Sequence, residues 1–416
     1  MWEQIAANRR KSFMLVIVAA MLLLVLGYFL GEYFLGRGYG PYGMVIAGIV
    51  WLVMTLVAWF QGDNIMLSMA GAKKIQKEDL PILFNVVEEM TLASGLSRIP
   101  DIYVIDDPAP NAFATGRRPE TAAVAVTSGL LRRLNRDELQ GVIAHELAHV
   151  RNRDIQLMLF AGVLIGAIVI LSEVGLRGMW FGGGRSRSRR DSGGDGGNAI
   201  VAVLAIVLMI LAPILARLIY LAVSRKREYL ADASAATFTR YPEGLASALE
   251  KISAAPQTLN SANRATAPMY IINPLKKAGK KAGKKAGAMA ANASSTHPPI
   301  DERVRILRSM SGGGYAAYEE SYRKVSGGKG VIPGSALKEE AGDETSRATA
   351  EDSGKRPQKE SSAASQIILA RQVDDFFYRS AGYRMIKCDC GATLKLPRDF
   401  KSPQAECPRC GASHSL

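Results

Sequence analysis

The sequence predicts a mainly α chain with a small β-sheet, an α+β arrangement set on transmembrane helices and ending in a small cysteine-bearing module. Three observations predict it. Four apolar runs, Phe13 to Leu30, Tyr42 to Phe60, Ile155 to Leu171 and Ala199 to Val223, are nearly free of charge. Each approaches the roughly 20 residues that cross a bilayer as a helix. Between the second and third runs, helical periodicity in "DLPILFNVVEEMTLASGL" alternates with the short β-prone stretches "DIYVID" and "AAVAVTS". All four cysteines lie after residue 387, in two pairs.

Taken in order, residues 1–62 read as an N-terminal transmembrane hairpin. The first run is longer than the apolar core of a signal peptide, lacks a small-residue cleavage site and is soon followed by a second span, so a retained anchor is expected. Arg9, Arg10 and Lys11 precede the hairpin and Lys73, Lys74 and Lys77 follow it, which by the positive-inside rule puts both flanks in the cytoplasm. Residues 63–325 read as one soluble domain interrupted by an apolar membrane hairpin at 155–223. In it Asn135 caps a helix with Glu138 completing a box-like pair, and that helix runs on through "AHELAHVRNRD". The "RSRSRR" inside the hairpin would face outward against the positive-inside tendency, so full spanning or a partial dip both fit the sequence. Residues 326–366, poor in large apolar side chains and dense in Gly, Ser, Glu and Lys, read as a disordered linker. Residues 367–416 form a helix and a cysteine module expected to fold independently of the rest.

The net charge of +14 comes partly from "RSRSRR" and from "KKAGKKAGKKAG" at 276–287. Solvated loops or attraction to lipid headgroups account for such clusters, and few aromatic residues accompany them, which argues against nucleic acid as a partner.

The chemistry concentrates in the 145–149 helix. Residues four apart stand one turn above each other, so His145 and His149 can present two imidazoles to one zinc ion, with Glu146 beside them as general base for an activated water. Only four histidines occur in the chain, and two are here. A third ligand is required, and Glu228 in "RKREYLADASAA" is the candidate. Asp232, four residues on, would fix the tautomer of a ligating histidine. The third apolar run leaves directly from the histidine helix and the fourth returns into the Glu228 helix, linking membrane anchoring to metal-site assembly.

The segments "NAFATG", "AAVAVTSGLL", "HELAHVRNRDI", "REYLADASA" and "STHPPIDERVRIL", in this order within residues 1 to 310, resemble the HtpX-type integral membrane zinc metalloproteases, relatives of the CAAX prenyl proteases. The resemblance implies a zincin-type domain facing the cytoplasm and acting in quality control of membrane proteins. It implies zinc binding by His145, His149 and Glu228, catalysis by Glu146, and substrate or transition-state contacts from Asn111 and His297. On the residues alone, Asn111 capping a turn and His297 merely preceding two prolines fit as well. The lysine repeat before His297 and everything after about residue 325 depart from the minimal family pattern.

In the tail, "CDCG" and "CPRCG" place Cys388, Cys390, Cys407 and Cys410 at a zinc-ribbon spacing, with the first pair one residue tight. One structural zinc is expected there in addition to the catalytic one, with an unknown partner for the ribbon. The function expected is a multi-pass membrane endopeptidase with polypeptide substrates, its catalytic domain and tail cytoplasmic. The rivals are a catalytically silent membrane adaptor and a membrane-tethered binder using the ribbon and basic loop. Substrate is expected to add as a strand to a free edge of "AAVAVTS".

Overall fold

The computed structural model describes residues 2–155, 225–257, 259, 270–272, 297–328, 330–338, 340 and 359–416, with single helical residues at 172, 177, 206 and 210. The third and fourth apolar runs, "RSRSRR" and the lysine repeat therefore lie outside the described residues, except for Ile155, Ile206 and Ile210.

Helices α1 (Trp2–Phe34) and α2 (Gly40–Met69) form the N-terminal hairpin. Small residues let their backbones meet: a Cβ on Gly43 would lie 2.2 Å from the Gly27 carbonyl oxygen. Such close approach is how helices associate where lipid offers no hydrophobic drive. Phe13, Ile46, Leu52 and Phe60 remain exposed on the outside of the pair, as a lipid-facing surface requires. Glu32 closes the connection by accepting the backbone N–H groups of Gly38 and Gly40 at 3.0 and 2.9 Å.

Beyond the hairpin a four-stranded sheet is built from β1 (Ala72–Lys74), β2 (Asp101–Ile105), β3 (Ala112–Thr115) and β4 (Ala123–Thr127), in the order β1-β2-β4-β3. β2 and β4 run parallel, while β1–β2 and β3–β4 are antiparallel. This corrects one expectation. "AAVAVTS" forms β4, whose two edges are already paired, so it offers no free edge to a substrate. The edge strands are β1 and β3, and β3, from the "NAFATG" segment, is the one beside β4.

Helix α3 (Pro81–Ser94) ends on Gly95 in the left-handed conformation, and α4 (Ser128–Arg133) is capped by the Thr127 side chain. Helix α5 (Arg136–Arg151) starts as the sequence predicts: Asn135 Oδ1 accepts from Glu138 N and Glu138 Oε2 accepts from Asn135 N, both at 2.9 Å. A second helical stretch, α6, covers 225–239, followed by α7 (Pro242–Ser253), α8 (Ile300–Arg308) and α9 (Tyr315–Ser326). Gly141 allows α5 and α7 to touch, since a Cβ there would come within 2.7 Å of Leu245 N. Val124, Val126, Leu139, Ile143, Leu147, Leu230 and Leu249 share one core between the sheet and these helices.

The region after residue 325 differs from its reading as linker plus free module. Val331, Ile332 and Ala336 are buried in the main core, and Glu319 accepts the N–H groups of Val331 and Ile332 at 2.9 and 3.0 Å. Helix α10 (Lys359–Ser380) lays Leu369, Val373 and Phe376 into the same core against α4. Arg132 Nη2 reaches Asp374 at 2.7 Å, and Gln366 donates to the Arg132 and Arg133 carbonyls at 3.1 and 2.9 Å. Composition missed this because three apolar residues on one helical face suffice to dock a helix, and the bonds to Glu319 use backbone alone. Residues 341–358 lie outside the described residues.

The tail then forms two hairpins, β5 (Arg384–Lys387) with β6 (Thr393–Leu396), and β7 (Gln404–Glu406) with β8 (Ser413–Ser415). It is tied to α10 by Lys395 Nζ, 2.9 Å from Asp375.

Candidate metal centre

Helix α5 places His145 and His149 on one face, and α6 crosses them with Glu228. The two Nε2 atoms are 3.3 Å apart, with Glu228 oxygens at 3.7 Å from His145 and 3.6 Å from His149. Two nitrogens bonded tetrahedrally to zinc at 2.0–2.1 Å stand about 3.3 Å apart, so the donor set fits that ion. All three side chains are buried.

The other ring nitrogens are held from behind. His145 Nδ1 lies 3.0 Å from Asp232 Oδ1, the contact expected of Asp232. His149 Nδ1 lies 3.2 Å from Asp154 Oδ2, a contact the sequence reading did not contain. Asp154 comes after the end of α5 and faces back because Arg153 takes a left-handed conformation, φ 57°. With Nδ1 of each ring engaged by a carboxylate, each Nε2 faces the shared centre, where a metal ion would take the place of a proton.

A further residue underlies these. Arg303 on α8 is fully buried and forks onto Asp232, Nε to Oδ2 at 2.8 Å and Nη2 to Oδ1 at 2.6 Å. Its Nη1 is 3.8 Å from Glu228 Oε2. A charge buried without a partner is costly, and the paired geometry satisfies both ions. The only hint in the sequence is a basic residue six positions after His297.

Electrostatics follow from burial and pairing. Burial pulls the His145 imidazole down, but the hydrogen bonds it donates to Asp232 and Glu228 overcome this and push its pKa up to about 9. Burial raises Asp232, and Arg303 more than reverses this, holding it below the usual carboxylate range. Burial also acts to raise Glu228, which the His297 charge and the histidine hydrogen bonds hold well below that range. Glu146 is raised, chiefly by burial, and the Ala114 N–H of β3 donates to it.

The remaining expected residues split. His297 is buried beside the centre, its Nδ1 2.9 Å from Glu228 Oε2. Asn111, at the start of β3, does more than cap a turn: its Nδ2 donates to Ile272 O at 2.9 Å and its Oδ1 accepts from Ile272 N at 3.4 Å.

In the tail the four cysteines form a second cluster, with Cys388 and Cys410 sulfurs 3.5 Å apart and Cys390 and Cys407 sulfurs 3.6 Å apart. Tetrahedral thiolates around zinc at 2.3 Å would be separated by about 3.8 Å. Both turns use one device: Cys388 N bonds Ala392 O and Cys407 N bonds Ala412 O, each at 2.8 Å, across Gly391 and Gly411 at positive φ. The tighter first pair thus closes on the same pattern as the second.

Paired histidines and a glutamate on crossed helices, beside an edge strand, define a metallopeptidase-like centre. The model of "Peptidase family M48" matches residues 81–311. A "Protease HtpX homolog" of Dictyoglomus thermophilum is 45% identical over 309 residues, covering 74% of this chain and 94% of the relative. Another from Thermoanaerobacter pseudethanolicus is 42% identical over 311 residues, covering 75% and 98%. One from Ligilactobacillus salivarius is 41% identical over 310 residues, covering 74% and 100%. The chain belongs to peptidase family M48, as an HtpX-type membrane metalloprotease. The crystal structure of S. mikatae Ste24p is a more distant likeness, 17% identical with a TM-score of 0.40 over 74% of this chain and 67% of that one.

Proposed function

We propose that this metalloprotease is a zinc-dependent endopeptidase that cleaves misfolded or unassembled membrane proteins at the cytoplasmic face of the cell membrane, to which it is anchored as a multi-pass protein. The observation that carries the reading is the set of three buried donor atoms, two of them oriented from behind by Asp232 and Asp154, with the Glu146 carboxyl alongside. His145, His149 and Glu228 would hold the ion. When bound, zinc would polarise the scissile carbonyl and make a water molecule more acidic.

The chain's own residues do the rest. Glu146 accepts the proton of the attacking water and delivers it to the leaving nitrogen, and its raised pKa suits both tasks. Asp232 and Asp154 keep the imidazoles in the ligating tautomer, and Arg303 keeps Asp232 ionised and in place. His297 and Asn111 flank the centre as contacts for the substrate carbonyl region. The substrate strand pairs with β3, where backbone hydrogen bonds give affinity with little side-chain selectivity. In the tail, Cys388, Cys390, Cys407 and Cys410 would hold a second, structural zinc.

The test is zinc content and casein cleavage by the detergent-solubilised chain, wild type against Glu146→Gln. The amide keeps the carboxylate's shape but cannot take a proton, so cleavage is expected to fall by roughly 10²–10⁴ with zinc unchanged. A metal-loaded Glu146→Gln enzyme that still cuts casein at the wild-type rate contradicts the mechanism.

A further inference from the structure

On β3, residues alternate between facing β4 and facing away. Asn111 O accepts from Thr127 N at 3.0 Å, which turns Asn111 toward β4 and leaves Ala112 and Ala114 facing outward along the free edge. This is the lane an added strand would use. Much of it is already filled by the chain itself. Ala112 O accepts from Ile271 N at 3.0 Å, and the Asn111 carboxamide is engaged on both sides by the backbone of Ile272, at 2.9 Å and 3.4 Å.

The short segment Tyr270–Ile272 lies along the start of this edge. Tyr270 is fully buried with its ring 5.0 Å from that of Phe113, Ile271 is buried in the main core, and the Ile271 carbonyl lies 3.5 Å from Arg303 Nη1. A neighbouring strand sits about 4.8 Å from its partner, so a substrate strand and Tyr270–Ile272 cannot occupy this position together. Nor can Asn111 serve a substrate while Ile272 holds both ends of its carboxamide.

We infer that Tyr270–Ile272 is an intramolecular occupant of the substrate edge, an autoinhibitory contact that an incoming polypeptide must displace before it can pair with β3 and reach Asn111. This rests on the reading of β3 as the substrate edge. The displaced contacts are backbone hydrogen bonds of the kind a substrate supplies, so the exchange is nearly balanced in hydrogen bonding and costs mainly the burial of Tyr270 and Ile271. A chain long and extended enough to replace the pairing succeeds, while a short or folded one does not. The contact thus selects for unfolded segments without selecting for sequence.

Hydrogen exchange on the full-length Glu146→Gln protein, with and without reduced casein, tests this. In the free protein the Ile271 amide is protected by Ala112 O. With casein bound, the amides of Ile271 and Ile272 are expected to exchange faster. Casein binding that leaves Ile271 protected overturns the inference and spares the protease reading. Casein that neither binds this variant nor is cut by the wild type overturns both. As a second readout, Ile271→Pro deletes the donor to Ala112. Its KM for casein should fall roughly fivefold, the weight of about one net hydrogen bond, with zinc content and kcat unchanged. An unchanged or higher KM in a zinc-loaded Ile271→Pro enzyme counts against the inference, and if that variant loses its zinc the exchange result decides.

Discussion

The two clusters of candidate metal ligands in this chain are built on opposite plans. At the histidine cluster His145, His149 and Glu228 are all buried and both imidazoles are held from behind, Asp232 behind His145 and Asp154 behind His149, with Arg303 in turn behind Asp232. At the cysteine cluster the ligands make up much of their own core, which otherwise consists of little more than Leu394, Leu396 and Ala405, and Cys410 is exposed. A centre supported by a large core and paired charges holds its shape through protein interactions. A cluster of four thiols on two short hairpins depends on the ion for its folding. The first plan suits a site that must keep one coordination position open for chemistry, the second a site whose only task is structural.

The largest effect is expected from truncation after residue 325, which strips Val331, Ile332, Leu369, Val373 and Phe376 from the main core. Each buried side chain of this size contributes about 1.5–3 kcal/mol, so the truncated protein should melt well below the full chain. An unchanged melting temperature would restore the independent tail that the composition of 326–366 suggested. Next comes Arg303→Leu, which leaves Asp232 buried without its partner and should cost roughly 3–5 kcal/mol, measured by denaturant unfolding and accompanied by reduced zinc occupancy. Asp154→Asn should weaken catalytic zinc binding about 10- to 100-fold in a chelator competition and leave the cysteine cluster's zinc in place. A smaller change still is expected for Arg132→Ala. Its ion pair with Asp374 is about 40% exposed on each side, so its loss should cost ~1 kcal/mol or less in thermal denaturation.

What the sequence made legible was local. The Asn135 cap, the i, i+4 histidines, Glu228 and Asp232 were each read from local helical signals, and the structure brings the two histidines, Glu228 and Asp232 to one centre. The four-cysteine spacing was read the same way. Tertiary geometry stayed hidden. Asp154 reaches His149 only because Arg153 reverses the chain past the helix end, and Arg303 meets Asp232 across 71 positions of sequence. The order of strands put β3, not the more β-prone β4, at the edge, because pairing depends on the path of the chain and not on propensity. Helix α10 looked like the start of a separate module until its three apolar residues were seen against α4.

The most direct test of the difference between the two clusters is hydrogen exchange on the full-length protein treated with a chelator. The account predicts that residues 384–415 lose protection while the amides of α5 from Ile143 to Val150 keep theirs, and that returning zinc restores the tail. Loss of protection in α5 to the same extent as in the tail would contradict it, since the histidine centre would then owe its shape to the ion as well.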